Sequence, residues 1–306
     1  MSKVKASKTP GIKDERAFHN VALVAMCILA VYCIIPFILM LSTSLTSEQA
    51  LANGGYGFWP KEFSTAAYEY LWAKRFTIGR CYALTIIVTV VGTVGNLVMT
   101  SLFAYPLSRR DFKYRNIFAF ILFFTTLFNG GLTASYIIWT RMFHIKDTIW
   151  ALILPGSLMG AMNVLMVRNY YNVNIPYEII EAARMDGAGD LRIYAGIMVP
   201  LSKPVMTTIG LFAALGYWNN WTNGLYYITD TKLYTIQVYL QKLMDNIAYL
   251  KSGESAAESA ALAMRAMPTE GARMAIAIIA ILPILMVYPF IQKELVKGMV
   301  VGGVKG

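Results

Sequence analysis

Residues 175–200, IPYEIIEAARMDGAGDLRIYAGIMVP, form the polar stretch that decides the fold of this chain, because long apolar segments lie on both sides of it. Asn174 is a residue type that caps helices, and Pro176 suits a first helical turn, where its missing N–H costs nothing. Gly187 is expected to end that helix in a left-handed conformation, and a second helix is expected to begin at Asp190. The pattern therefore predicts a helix, a glycine elbow and a second helix between two apolar segments.

The composition places the chain in a membrane. Of its 306 residues, 57% are apolar and only 14% are charged, which is too apolar for an ordinary soluble domain. Uncharged windows of about 20 residues recur, and that is the length that a helix needs to cross a bilayer. We predict an all-α integral membrane protein with six transmembrane helices and the polar loop on the cytosolic side. The predicted spans are 21–41, 81–107, 117–139, 149–167, 203–223 and 274–291.

The domain organisation follows from these spans. Residues 1–20 are predicted to be a cytosolic tail, 21–292 a single transmembrane domain and 293–306 a second cytosolic tail. A signal peptide is the competing interpretation of the first apolar run, but this run is too long for the core of a signal sequence. We therefore expect it to be an anchor. The role of the external segment 225–271 is left open.

Small and helix-breaking residues interrupt the predicted spans. Gly92, Gly95 and Asn96 fall in the second span, where small residues allow helices to pack closely in lipid. Residues 129–131 (NGG) interrupt the third span, either as a break in a binding path or as the outer end of the helix, and backbone freed there must be satisfied away from lipid. The dipeptide Pro155-Gly156 is expected to kink the fourth span.

Basic residues fix the orientation. Sixteen Lys and Arg residues fall in the two tails, the 109–115 loop and the 168–203 loop, and eleven fall on the other side over much longer loops. Because cytoplasmic loops carry the excess of Lys and Arg, both termini are predicted to be cytosolic. The net charge of +10 is spread without a basic patch or a known motif, so nucleic acid is not an expected partner.

The sequence offers no catalytic machinery. It contains no phosphate-binding loop, no zinc-protease motif and no paired cysteine ligands, so we predict no catalytic residue, no metal site and no cofactor bound by this chain. Cys27, Cys33 and Cys81 are interpreted as small apolar residues of the spans. The spans hold no Asp, Glu, Lys or Arg apart from Lys203 at an inner edge. An ion-coupled secondary transporter usually keeps such a group, so this alternative is disfavoured.

The loop carries a specific resemblance. Glu181-Ala182-Ala183, three residues, Gly187, nine residues and then Ile197-Met198-Val199-Pro200 resembles the EAA loop of ABC importer permeases. Val199 stands where the family usually has leucine. The resemblance extends from about Cys81 to the C-terminus and is greatest for the maltose-type carbohydrate branch, whose members share the short tail Val304-Lys305-Gly306. An amphipathic loop resting on anionic lipid is the alternative, but lipid binding would not require the glycine elbow.

The resemblance implies a permease subunit of an ATP-driven importer of a sugar, expected to be an oligosaccharide, in the plasma membrane of a prokaryote. The implied partners are a second homologous permease subunit, an ATPase dimer that binds ATP and Mg, and an extracytoplasmic sugar-binding protein. The implied mechanism is alternating access. A non-transporting membrane scaffold is a third hypothesis, but it leaves the elbow unexplained. The residues implied to couple to the ATPase are Glu181, Ala182, Ala183, Asp186, Gly187 and Gly306.

A polar aromatic segment in the fifth predicted span is a candidate for the sugar path. Asn219 and Asn223 are four residues apart and are expected to share one helical face. Amides beside flat aromatic rings suit a sugar, but they also suit a structural network between helices or, for the indoles, the outer aromatic belt. Both interpretations remain open. The candidate path residues are Tyr217, Trp218, Asn219, Asn220, Trp221 and Asn223.

Overall fold

A computed structural model of the chain describes residues 11–251 and 270–303, and these residues are mostly helical. The only extended pairing among them is an isolated antiparallel bridge between Thr46 and Phe63. Contacts divide the chain into two units, one comprising Met1–Ala73 and Ser252–Ile278, the other Lys74–Lys251 and Ile279–Gly306. The expected helical fold class is confirmed.

The first unit begins with helix α1, Gly11–Ser44, which contains the first predicted span. Helices α2, Glu48–Gly54, and α3, Ala66–Ala73, follow it. The Ser47 side chain accepts a hydrogen bond from the Ala50 amide and so caps α2, as serine does at many helix N-termini.

The second unit contains the remaining helices up to residue 251. They are α4 (Arg75–Ser108), α5 (Arg115–Leu127), α6 (Gly131–Ile137), α7 (Trp150–Ile153), α8 (Ala161–Asn174), α9 (Tyr177–Met185), α10 (Asp190–Ile193), α11 (Val199–Leu201), α12 (Lys203–Trp218), α13 (Trp221–Tyr227) and α14 (Ile236–Lys251). Single π-helical turns, Ile138–Met142 and Tyr194–Met198, extend α6 and join α10 to α11. The last helix, α15, covers Glu270–Gly303.

Helix length and hydropathy identify the candidate membrane spans. Among the described residues, Phe18–Ser44 and Arg75–Ser108 are long and apolar enough to cross a membrane, with mean hydropathies of 2.8 and 2.0. Two bent pairs raise the number to as many as four: Arg115–Leu127 with Gly131–Met142, bent by 115°, and Asp190–Leu201 with Lys203–Trp218, bent by 79°. The total of six spans therefore stays a prediction.

Three local expectations are wrong. The fourth predicted span is interrupted rather than kinked, because α7 ends at Ile153 and helix resumes only at Ala161. The helix of the fifth predicted span does not continue to residue 223, because α12 ends at Trp218 and a new helix begins at Trp221, while the bounds of the span itself stay a prediction. Asn174 does not cap α9: it is the last residue of α8, and its amide donates to the Tyr170 carbonyl oxygen.

The core of the second unit is built on α4, which packs against α12 and α8. At one end, the last turns of α4 join α8, α9 and α10 in a cluster that includes Val164, Ile180 and Ile193. A second cluster surrounds α7 and contains Val88 and Tyr217. The first cluster packs against the buried face of the helix–glycine–helix loop, and the second surrounds the break after α7.

Candidate functional site

The loop predicted from the sequence is a helix, a glycine turn and a helix. The Ala188 amide donates to the Ala183 carbonyl oxygen and the Gly187 amide to that of Arg184, each at 2.9 Å. This pair of bonds is the Schellman arrangement, which requires a left-handed residue after the helix. Gly187 supplies it with a φ of +78°. The predicted glycine stop after α9 and the helix start at Asp190 are both confirmed.

The two faces of this loop differ sharply. Ile180 and Ile193 point into the core, where they are 5% and 0% exposed. Met185 and Leu191, on the opposite side, are 89% and 79% exposed. A single exposed apolar side chain needs no explanation, whereas several large ones on one polar loop are typical of an interaction surface. We call Met185, Asp186, Gly187 and Leu191 the elbow surface.

The residues implied to couple to a partner lie at different depths in this loop. Glu181, Ala182, Asp186 and Gly187 are exposed. Ala183 is half-buried and packs against the core of its own chain. The second alanine of the motif therefore helps α9 to lie close to that core. Gly306 lies outside the described residues.

A charge cluster ties this loop to the end of α4. Arg109 Nε lies 3.1 Å from Asp111 Oδ1, and its Nη1 lies 3.6 Å from Asp190 Oδ1. Arg184 Nη2 lies 2.7 Å from Asp111 Oδ2 and 3.5 Å from Asp190 Oδ1. We call these four residues the elbow charge cluster. Its two acids and two bases join the residues after α4 to both sides of Gly187.

Arg109 is the anchor of that cluster. It is only 4% exposed, and its Nη1 donates to the Tyr105 hydroxyl at 2.8 Å. A buried guanidinium needs such partners, because an isolated charge away from water is very costly. The hydroxyls of Ser101 and Tyr194 lie 2.6 Å apart and add a second link between α4 and the loop. The sequence assigned Arg109 only to a basic loop, because nothing in its spacing indicates a partner about 80 residues away.

A cavity of about 480 Å³ lies in the second unit, beside the break that follows α7. Its walls come from α4, α8, α12, the start of α13 with its cap Asn220, and the non-helical residues 155–160. Apolar residues contribute to the lining, among them Pro155 and Ala213, and the polar or aromatic side chains that line it include Asn96, Asn163, Phe212, Tyr217, Asn220 and Asn223. None of the described residues lining it is charged.

Several of these polar groups satisfy backbone that the break leaves free. Tyr217 donates its hydroxyl to the Ile153 carbonyl oxygen at 3.1 Å, and Asn223 donates its amide to that of Pro155 at 2.9 Å. The Asn96 amide donates to the Ser157 carbonyl oxygen at 2.9 Å. Buried carbonyl groups need such partners. This part of the network is therefore structural.

The candidate path residues do not all meet at this cavity. Tyr217, Asn220 and Asn223 line it. Trp218 faces an apolar groove instead, and its indole nitrogen donates to the Ala280 carbonyl oxygen at 3.4 Å. Asn219 is exposed, and its amide donates to the Leu215 carbonyl oxygen.

The helix break also separates residues that the sequence placed together. Trp221 is 43% exposed and does not line the cavity. Asn219 and Asn223 do not share a helical face, because the helix breaks between them. Asn163 and Phe212 do line the cavity, and neither was among the candidate path residues. A single amide in α8 and one Phe among many carry no distinguishing signal.

The long apolar helices are those of a membrane protein, and the exposed elbow between two apolar segments is the feature that the loop motif associates with transport subunits. The chain belongs to the family of binding-protein-dependent transport system inner membrane components, whose model matches residues 103–301. It is a permease subunit of an ABC importer, as the loop motif implied.

Individual relatives agree with this family. The chain is 36% identical to Protein LplC of Bacillus subtilis (strain 168), over 89% of this chain and 90% of the relative. It is 34% identical to the polygalacturonan/rhamnogalacturonan transport system permease protein YtcP of the same organism, over 95% and 99%. Its fold is similar to a chain in the crystal structure of a bacterial ABC transporter involved in the import of the acidic polysaccharide alginate. That match has a TM-score of 0.77 and 30% identity, and covers 95% of this chain and 99% of the other.

Proposed function

We propose that this permease subunit moves an oligosaccharide into a prokaryotic cell by alternating access, together with a second homologous permease subunit. Several relatives are named for saccharide transport, among them the melibiose/raffinose/stachyose import permease protein MelC of Bacillus subtilis, at 27% identity. The observation that carries the coupling part of the proposal is the elbow surface, which is exposed outward while its inner face is fixed to the core.

The elbow surface is proposed to enter a cleft of an ATPase subunit, where Glu181, Ala182, Asp186 and Gly187 would lie at the contact. Ala183 would not touch the ATPase but would hold α9 in place through its packing against the core. ATP and Mg would bind to the ATPase dimer and not to this chain. An extracytoplasmic binding protein would deliver the sugar. The Gly306 tail is proposed to reach the ATPase as well.

The membrane arrangement is part of the proposal. We infer six spans within residues 21–292, with the tails 1–20 and 293–306 and the elbow surface all on the cytosolic side. The distribution of Lys and Arg supports this orientation. The interruptions of the fourth and fifth spans are compatible with a transporter, because irregular backbone at membrane depth is tolerated where it is buried in protein or lines a cavity.

The experiment exploits the left-handed backbone at Gly187. A Cβ added there would meet no atom within 4 Å, so a substitution acts through the backbone conformation and not through crowding inside the chain. Gly187→Val should strain the elbow by about 1–2 kcal/mol or more, because a β-branched residue is disfavoured at positive φ. We expect poor assembly with the ATPase, or ATP hydrolysis without sugar uptake.

Two control variants separate conformation from loss of a contact. Asn tolerates the left-handed region, so Gly187→Asn should keep most of the uptake. Gly189 has a φ of −72°, which any residue adopts, and a Cβ there also meets nothing within 4 Å. Gly189→Ala should therefore be close to normal in assembly and uptake. Normal sugar uptake by Gly187→Val would overturn the coupling assignment.

A further inference from the structure

We propose that the cavity beside the break after α7 is a saccharide subsite of this subunit, and that it takes an uncharged sugar unit. The ring of Phe212 would lie against the C–H face of the sugar, and the amides of Asn163 and Asn220 would bind its hydroxyl groups. The inference rests on the proposed function, since it concerns the path of the same cargo.

The polar groups of the cavity fall into two sets. Tyr217, Asn223 and Asn96 donate to backbone carbonyl groups at the break, so these donors are already used. Asn163 is half-buried, faces the cavity and makes no side-chain hydrogen bond to the described residues. A half-buried amide without a partner loses hydrogen bonds that a ligand or water must replace. Asn163 is therefore the group that is free to recognise a sugar hydroxyl.

Asn220 stands between the two sets. Its amide nitrogen lies 3.3 Å from Ser157 Oγ, and its carbonyl oxygen accepts from the Asn223 backbone amide. The neutral amide nitrogen carries two N–H donors, so one remains for a ligand while the cap of α13 is kept. The Ser157 hydroxyl accepts the bond from Asn220 and donates to the Pro155 carbonyl oxygen at 3.3 Å, so its only donor is already used.

The aromatic side of the cavity comes from α12. Phe212 is 56% exposed, although it lies on a helix that is packed against α4. Gly216 is four residues further along and so lies on the same face of the helix. A Cβ at Gly216 would meet no atom within 4 Å, so open space adjoins the ring. A flat aromatic face beside open space and amide groups suits the mixed apolar and hydroxyl surface of a sugar ring.

The chemistry of the lining sets the class of sugar unit. No described residue that lines the cavity is charged. A uronate carboxylate entering it would lose water without gaining a cationic partner, which is far more costly than burying a hydroxyl. The volume of about 480 Å³ lies within the range of about 300–1,000 Å³ that is usual for small-molecule sites. The geometry therefore favours a neutral hexose or pentose unit at this position.

The test measures uptake by the complete transporter in cells, with both permease subunits, the ATPase and the binding protein. The probes are radiolabelled maltotriose, raffinose, trigalacturonate and its fully methyl-esterified form. If the wild type takes up none of them, the proposed saccharide function fails, and the subsite with it. If it takes up at least one, the variants below test the subsite alone.

Phe212→Ala and Asn163→Leu should each lower uptake of the accepted probe about tenfold or more, while loaded binding protein still stimulates ATP hydrolysis. A tenfold effect corresponds to about 1.4 kcal/mol. The matched controls are Phe103→Ala, an exposed ring on α4, and Met162→Leu, an exposed neighbour on α8; neither lines the cavity. Uptake at the wild-type level in both Phe212→Ala and Asn163→Leu would overturn the proposal.

A labelling measurement covers the case in which these variants fail to assemble. In a background without native cysteines, Gly216→Cys should react with a thiol reagent, and the transported saccharide should slow that reaction. Gly79→Cys is the control, because a Cβ at Gly79 is equally open and Gly79 lies outside the cavity lining. Saccharide that protects neither position, or both equally, would contradict the subsite.

The charge assignment has a readout of its own. Wild-type transporter should take up the methyl ester of trigalacturonate in preference to the free acid. Asn163→Lys adds a cation to the cavity and should shift this ratio towards the acid by about tenfold. A wild-type preference for the acid, or a ratio that Asn163→Lys leaves unchanged, would show that the cavity does not select an uncharged unit.

Discussion

Gly92→Ala should destabilise the subunit, because Gly92 is where α4 meets the ring of Tyr217. A Cβ added at Gly92 would lie 2.5, 2.6 and 2.7 Å from three atoms of that ring, closer than real Cβ atoms come to their neighbours. The ring cannot swing aside freely. Tyr217 is 3% exposed, and its hydroxyl donates to the Ile153 carbonyl oxygen at 3.1 Å.

The expected cost can be assembled from three contributions. Forcing an extra methyl group into a packed site costs about 1–3 kcal/mol. Displacing Tyr217 would also weaken its hydrogen bond to Ile153, which costs about 0.5–1.5 kcal/mol, or about 1–3 kcal/mol if the buried carbonyl is left unpaired. Replacing a helical Gly by Ala returns about 1 kcal/mol. The net destabilisation is therefore about 0.5–3.5 kcal/mol, or about 1–5 kcal/mol if the carbonyl is left unpaired.

The assay is the thermal midpoint of the detergent-solubilised permease complex. Each kcal/mol should lower the midpoint by about 2–4 °C, the value for domains of 150–250 residues. Gly95→Ala is the matched control on the same helix, because its Cβ meets only a Leu158 methyl group, at 3.2 Å. A flexible side chain can move by a few tenths of an ångström, so Gly95→Ala should be nearly neutral.

A double-mutant cycle identifies the ring as the cause. In a Tyr217→Ala background the steric conflict is absent, so Gly92→Ala should no longer destabilise the subunit and should gain the helix propensity of about 1 kcal/mol. The coupling energy between the two sites should equal the steric and hydrogen-bond contributions together, about 1.5–4.5 kcal/mol. Additive effects, or a Gly92→Ala variant as stable as Gly95→Ala, would refute this account of the crossing between α4 and α12.

Two further predictions concern the polar contacts of the second unit. Arg109→Gln should destabilise the elbow charge cluster by about 1–3 kcal/mol, because hydrogen bonds to charged groups are lost, and limited proteolysis between α9 and α10 should become faster. Lys113→Gln, in the same basic loop but outside the cluster, should leave the proteolysis rate unchanged. Equal rates in both variants would contradict the role of Arg109. The Thr229 hydroxyl and amide donate to the Asp147 carboxylate and hold its pKa below the usual 3.8. The ionised Asp147 carboxylate stabilises the folded state above its ordinary pKa, and this stabilisation is lost as pH falls through the lower pKa of the folded state. The thermal midpoint should therefore drop more between pH 5 and pH 3 in the wild type than in Asp147→Asn. Parallel curves of midpoint against pH would argue against this role of Asp147.

The sequence by itself determined the local structure of the loop. The Schellman turn depends on one glycine and on hydrogen bonds between residues no more than five apart, so the spacing around Gly187 was sufficient to predict it. The helical membrane class followed in the same way from long apolar windows. The small residues at Gly92 and Gly95 also indicated close helix packing, although not which side chain would fill the space.

Only the tertiary structure shows where the helices break and which distant side chains contact the broken segments. The sequence indicated a kink at Pro155-Gly156 and a polar segment near the end of the fifth span, but not that helix is absent between Ile153 and Ala161 or that α12 ends at Trp218. The broken segments hold together because Tyr217, Asn223 and Asn96 supply hydrogen bonds to the carbonyl groups that the first break frees. Those partners are about 60 residues away in the chain. Local propensity and periodicity carry no information about such contacts, which arise only when α4 and α12 pack together.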